Sequence, residues 1–134
     1  MPLTVGDRLE LHELAARYAN TIDERDWDRF ETVFTADCHY ELRNFGRLNM
    51  TLVGAPAVRT HMERSQDHPV AHHVTNVEVL DGDPVRMLSK IAGTLPGGGV
   101  GSADYADVVV STPRGWRIST RIVTLRRPAK AVPQ

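Results

Sequence analysis

The chain has 134 residues, 41% of them apolar, with 16 basic against 17 acidic side chains and a formal net charge of −1. That length suits one domain able to bury about two-thirds of its unfolded surface. The evenly mixed charge offers no basic stripe for nucleic acid, and no apolar run approaches a bilayer span. Cys38, the single cysteine, excludes an internal disulfide and a thiolate metal cluster and is expected to be a small buried side chain. The opening residues MPLTVGDRLE lack the pattern of a signal peptide, so the expected location is the cytoplasm.

In residues 7 to 20, Leu11, Leu14, Ala15 and Tyr18 recur at helical spacing, with Ile22 continuing the line. Thr4 and Asp7 stand at capping-box spacing, Asp replacing the usual Glu. Trp27, Phe30, Val33 and Phe34 predict a second short helix over 26 to 34. Asp23 falls in the joint, where it is either the N-cap of that helix or a carboxylate free to hold an imidazole in one tautomer. Residues 38 to 43 predict a short strand with Cys38, Tyr40 and Leu42 on one face. LNMTLVG predicts another, and Gly54 and Pro56 mark the start of a helix ending near Asp67 and Pro69.

The second half reads as four β-rich runs, VAHHVTNVEVL, PVRMLSKIAGTL, GSADYADVVVS and GWRISTRIVTL, divided by DGD, PGGG and TPRG turns. They predict an antiparallel meander. Helices first and a long sheet after them give an α+β class, with a curved antiparallel or mixed sheet wrapped as a cone around the N-terminal helices. A single domain over 1 to 127 is expected, with a disordered tail over 128 to 134.

Strand alternation forces His72 and His73 to opposite faces, so only one can look inward. The same rule groups Val74 and Asn76 with His72, and Thr75, Val77 and Val79 with His73. His72 is a candidate base, or else a histidine satisfied by a neighbouring backbone group. Tyr18, Tyr40 and Tyr105 can each offer a phenolic donor from an inward face, or simply pack there. In RISTRIV, alternation puts Ile118, Thr120 and Ile122 on one face and Arg117, Ser119 and Arg121 on the other, where arginines are ordinarily solvated. LPGGGVGS lies between strands and lacks the Gly-Lys-Ser/Thr ending of a phosphate loop, so it is read as a hairpin. The histidine spacing gives no metal site, and no nucleophile elbow or reactive cysteine setting occurs.

The stretches RYANTIDERDWDRFETVFTADCHYEL and HHVTNVEVLDGD, with a Tyr-x-Asp strand and a closing Gly-Trp-Arg-Ile strand, resemble the SnoaL-like branch of the nuclear transport factor 2-like superfamily from about Leu9 to Leu125. The resemblance implies a cone with a mostly apolar pocket at its open end, often in a homodimer or homotrimer. Enzymes of this kind include scytalone dehydratase, hexachlorocyclohexane dehydrochlorinase, ketosteroid isomerase and polyketide cyclases. By that likeness Asp23 and His72 form a catalytic pair, Tyr40 and Tyr105 line the pocket, and Arg121 lies near an arginine of the dehydrochlorinase. Ile22 stands where scytalone dehydratase has a tyrosine, Thr94 or Leu95 where it has a second histidine, and Tyr18 where the dehydrochlorinase has a lysine.

The expectation is therefore a lyase or isomerase without cofactor or metal, acting on a small apolar cyclic or polyketide-like molecule. Asp23 and His72 would be catalytic, and Tyr18, Tyr40, Tyr105 and Arg121 would bind substrate. The alternative is a non-catalytic ligand-binding or assembly module, like the small subunit of ring-hydroxylating dioxygenases.

Overall fold

The computed structural model describes residues 2–66 and 68–126. Helix α1 (Val5–Asp23) opens on the expected capping box, in which Thr4 Oγ1 accepts from Asp7 N at 3.0 Å and Asp7 Oδ2 accepts from Thr4 N at 2.9 Å. Because Thr4 is the cap, the helix begins at Val5, two residues before the expected stretch of 7 to 20. It also runs three residues further than expected, carrying Ile22 into the core and placing Asp23 at its last position.

The predicted second helix is a six-residue 3₁₀ turn, Trp27–Thr32, and Phe34 already belongs to strand β1 (Phe34–Arg43). Phe30, Val33 and Phe34 are all buried. A tight turn running straight into a strand satisfies the same apolar spacing that a helix would. After a short 3₁₀ turn come β2 (Met50–Val53) and α2 (Ala55–Arg64), whose first turn holds Pro56. Helix α2 stops short of the expected end because the chain turns extended at Ser65; Asp67 lies outside the described residues. Strands β3 (Ala71–Leu80), β4 (Val85–Thr94), β5 (Val100–Thr112) and β6 (Gly115–Arg126) form the expected antiparallel meander. The expected tail over 128 to 134 lies outside the described residues.

The six strands make one open, mixed sheet in the order β2-β1-β6-β5-β4-β3, with β1 and β6 parallel and every other pair antiparallel. The class is α+β. Helix α1 packs on β3 and β6 and α2 on β1 and β2, so both helices lie against the sheet. No helix among the described residues is long and apolar enough to cross a membrane.

Two irregularities reset which residues face inward. In β3 the register slips between Thr75 and Glu78, with Asn76 at φ 55°. An extra residue inverts the alternation beyond it, so Val77 and Val79 join the His72 face, and Val79 is buried. This corrects the expectation that they share a face with His73. In β6, Val109 pairs with Ile118 but Val108 with Thr120, leaving Ser119 as the extra residue. Ile118 and Arg121 consequently point the same way, and both are wholly buried.

Candidate functional site

The capping box and the length of α1 decide where Asp23 ends up. As the last helical residue it faces the start of β3, and both carboxylate oxygens go to one residue: Oδ1 meets His72 Nδ1 at 2.5 Å and Oδ2 accepts from His72 N at 2.8 Å. Asp23 is therefore not a helix cap, and the residue that does precede the 3₁₀ turn, Asp26, makes no side-chain cap either. His72 is 7% exposed, while His73 is turned to solvent. A carboxylate on Nδ1 fixes the imidazole with its proton there and leaves Nε2 as the lone-pair nitrogen. Burial pulls the His72 pKa below its ordinary value, and the hydrogen bond and charge of Asp23 only partly oppose this. The ring is thus neutral at pH 7 and able to accept a proton.

His72 looks into a cavity of about 340 Å³ at the open end of the sheet. Its walls are Tyr18 from α1, Tyr40 and Leu42 from β1, Phe45 and Leu48 from the 3₁₀ turn after it, His61 from α2, Ile91 and Gly93 from β4, Gly101, Ala103 and Tyr105 from β5, and Val123 and Leu125 from β6. Ser65, Gln66, His68 and Pro69 close one side, with Leu95 and Ser102 at the rim. None of the described lining residues is an Asp, Glu, Lys or Arg. Burial pushes the Tyr40 and Tyr105 phenols well above 10, so both remain protonated donors at any working pH.

Of the expected site residues, Asp23 and Arg121 do not line this cavity: Asp23 stands behind His72, and Arg121 lies elsewhere in the core. It is completely buried, and it donates from Nε and Nη2 to the two carboxylate oxygens of Asp107, each at 2.8 Å. Its guanidinium carbon lies 4.2 Å from the Tyr18 ring centroid and 3.9 Å from that of Tyr105. Burial disfavours its charge, but Asp107 outweighs that and holds the group ionised. It is not a solvated arginine. It is a buried pillar beneath two of the wall tyrosines.

Tyr18 is 1% exposed and meets His72 edge to face, with centroids 6.1 Å apart. Its hydroxyl is buried and has no hydrogen-bond partner among the described residues. The structure therefore brings together Asp23, His72, Tyr18, Tyr40 and Tyr105, and sets Arg121 behind them.

Sequence reasoning missed His68. Its ring lies 4.7 Å from that of His72, and burial, with His72 and His61 nearby, lowers its pKa to about 4. The one signal was the density of histidines in HPVAHH, which spacing rules cannot interpret outside a helix or a strand. No group of three or more His, Cys, Asp or Glu side chains among the described residues is arranged to hold a metal ion.

A family model described as a SnoaL-like domain matches residues 4–122. An uncharacterized protein of Mycobacterium tuberculosis strain H37Rv is 30% identical over 131 residues, spanning 90% of this chain and 86% of its own. Among solved structures, a candidate aromatic ring hydroxylase of Novosphingobium aromaticivorans superposes with a TM-score of 0.76 at 25% identity, covering 94% of this chain and 93% of that one. A hexachlorocyclohexane dehydrochlorinase gives 0.74 at 14% identity, covering 92% and 87%, a likeness of fold alone.

Proposed function

We propose, from the premise that this chain belongs to the SnoaL-like domain family, that it is a cofactor-independent acid–base enzyme of the lyase or isomerase type. Its substrate is a small, uncharged, largely apolar cyclic or polyketide-like molecule. The observation that carries this reading is the Asp23–His72 pair, with a neutral imidazole opening onto a cavity whose described walls hold no Asp, Glu, Lys or Arg.

His72 Nε2 takes a proton from a carbon next to a carbonyl or a leaving group, and Asp23 stabilises the imidazolium that forms. In an isomerisation the C–H electron pair moves into an enolate whose oxygen accepts a hydrogen bond from Tyr40 or Tyr105, and the proton returns at another carbon. In an elimination the same pair forms the C=C bond as the leaving group departs with its electrons. Positioned general-base help supplies about 10²- to 10⁴-fold in rate, and oxyanion stabilisation a comparable factor. A charged ligand is disfavoured because no described wall residue would offset its desolvation.

The test is carbon-bound hydrogen exchange. A panel of uncharged cyclic ketones, alcohols and halides is incubated in D₂O with the wild type and with His72→Gln, and deuterium incorporation or elimination is followed by NMR. Turnover by the wild type and its loss in a folded His72→Gln protein are expected; equal rates in the two would sink the mechanism.

The candidate aromatic ring hydroxylase among the structural neighbours favours one other reading, an assembly module for a larger oxygenase subunit. Stable co-purification with such a subunit, together with no exchange on any panel member, would support it. For the enzyme we propose a homodimer or homotrimer, which sedimentation equilibrium would resolve.

A further inference from the structure

Gly93 lies directly across from His72 in the β3–β4 ladder, buried on the inner face of the sheet. Its backbone is not in the positive-φ region, so conformational freedom is not why a glycine stands there. Space is the reason: a Cβ at this position would lie 2.8 Å from Cγ and 2.9 Å from Cβ of Pro69, closer than real methyl contacts come. The proline is tethered on its other side, where Val70 N donates to Thr94 O at 2.8 Å at the end of the same strand. His68 precedes the proline, and a residue before proline has little backbone freedom of its own. Moving the Pro69 ring therefore moves the His68 imidazole, which now lies 4.7 Å from that of His72 at an interplanar angle of 42°.

We propose that Gly93 is a positioning residue of the site: its missing side chain seats the Pro69 ring on β4 and thereby holds His68 against His72 as the second imidazole of the cavity wall. The role of that imidazole in turnover rests on the acid–base reading above, but the seat itself does not. Held there, His68 excludes water from His72 and presents a second ring to an uncharged ligand. Around His72 stand Asp23 and Tyr18 from α1, Arg121 from β6, and His68 and His73; around His68 stand His72, His61 from α2, and Asp23. Burial dominates the titration of both rings.

The measurement is the NMR titration of the histidine ring protons without ligand, in the wild type and in Gly93→Ala. Alanine is compatible with a strand, so the sheet should form while the turn is displaced. The expected result is that the His68 pKa, about 4 in the wild type, rises by about one unit or more, a tenfold change in its protonation equilibrium. His72 should move upward with it. Pro69→Gly removes the seated ring from the other side and should produce the same rise, which keeps the idea testable if Gly93→Ala folds badly.

Gly101→Ala is the control. It pairs with Gly93 in the β4–β5 ladder, yet its Cβ would meet only Leu95, at an ordinary 3.6 Å, so neither ring should shift. Unchanged titrations in folded Gly93→Ala, or an equal shift in Gly101→Ala, would overturn the seat whatever the exchange assay gives. Shifted titrations in a protein whose wild type exchanges nothing would remove the reaction and leave the seat standing.

Discussion

Replacing Asp107 by Ala strands a guanidinium where water cannot reach it. Arg121 and Asp107 both have fully buried side chains, sit opposite each other across β5 and β6, and share two charge-assisted hydrogen bonds of 2.8 Å. Breaking such a pair from one side costs about 3–5 kcal/mol, because the remaining charge keeps its desolvation penalty and loses its partner. For a domain of this size roughly 4 °C of melting temperature is lost per kcal/mol, so Asp107→Ala should melt about 12–20 °C below the wild type. The Tyr18 and Tyr105 rings, at 4.2 and 3.9 Å, remain beside the cation and cap the loss.

The double variant Asp107→Leu with Arg121→Met removes both charges. It gives up the ring contacts, worth about 2 kcal/mol each when desolvated, but it also abolishes two desolvation penalties, so it should fall well short of the single variant's loss. Urea unfolding followed by tryptophan fluorescence, checked by calorimetry, measures both. A single variant destabilised by less than about 1 kcal/mol, far below the cost of an unpaired buried charge, or a double variant less stable than Asp107→Ala, would refute the reasoning.

Asp23→Asn should leave the fold intact and slow the exchange reaction by about 10²- to 10⁴-fold, through loss of the fixed tautomer and of the stabilised imidazolium. Since Asp23 is what raises the His72 pKa against burial, the same variant should titrate His72 still lower, as ring-proton NMR will show. His68 has a folded pKa of about 4 against an ordinary 6.5, so below pH 6.5 the unfolded chain binds a proton that the folded one refuses. That stability is complete above 6.5 and is lost as pH falls toward 4; denaturation midpoints at pH 7.5 and 5 should differ, and His68→Phe should shrink the difference. At the opposite end of β6, Gly115 has φ 111°, and a Cβ there would lie 2.6 Å from Glu10 Oε1, whose acceptor bond to Trp116 N is 2.9 Å. Gly115→Ala should cost about 1–3 kcal/mol, read from urea midpoints, and an unchanged midpoint would contradict it.

Much of the frame could be read directly from residue spacing: the capping residues of α1, its buried stripe, and the meander with its turns. The pairing of Asp23 with His72 came from the family resemblance, since spacing alone left Asp23 equally readable as a helix cap and His72 as a histidine satisfied by a neighbouring backbone group. What alternation could not supply was parity beyond a bulge. A two-residue period carries no memory of an inserted residue, so the reading of Val77 and Val79 failed after Asn76, and that of Arg121 failed after Ser119. Asp107 was equally hidden, since nothing in ADYADVV marks which aspartate will find an arginine across the ladder. His68 and Gly93 depend on a contact between a turn and a strand 24 positions later, fixed by the missing methyl and not by any pattern. Such features become visible only when the side chains are placed together.

Buried Asp107 and half-buried Asp23 differ in what their partners leave free. Asp107 gives both oxygens to Arg121, and the guanidinium in turn spends its faces on Tyr18 and Tyr105, so the pair offers the cavity no charge. Asp23 likewise commits both oxygens, but to a residue whose ring keeps a second nitrogen. An arginine at position 72 would carry a permanent charge into an apolar space; a histidine carries one only after it has taken a proton. Burial lowers the cost of keeping that ring neutral, and the adjacent carboxylate lowers the cost of charging it. These opposed influences act on one ring beside a mostly apolar cavity, the condition under which a weak base can abstract a proton from carbon and return it.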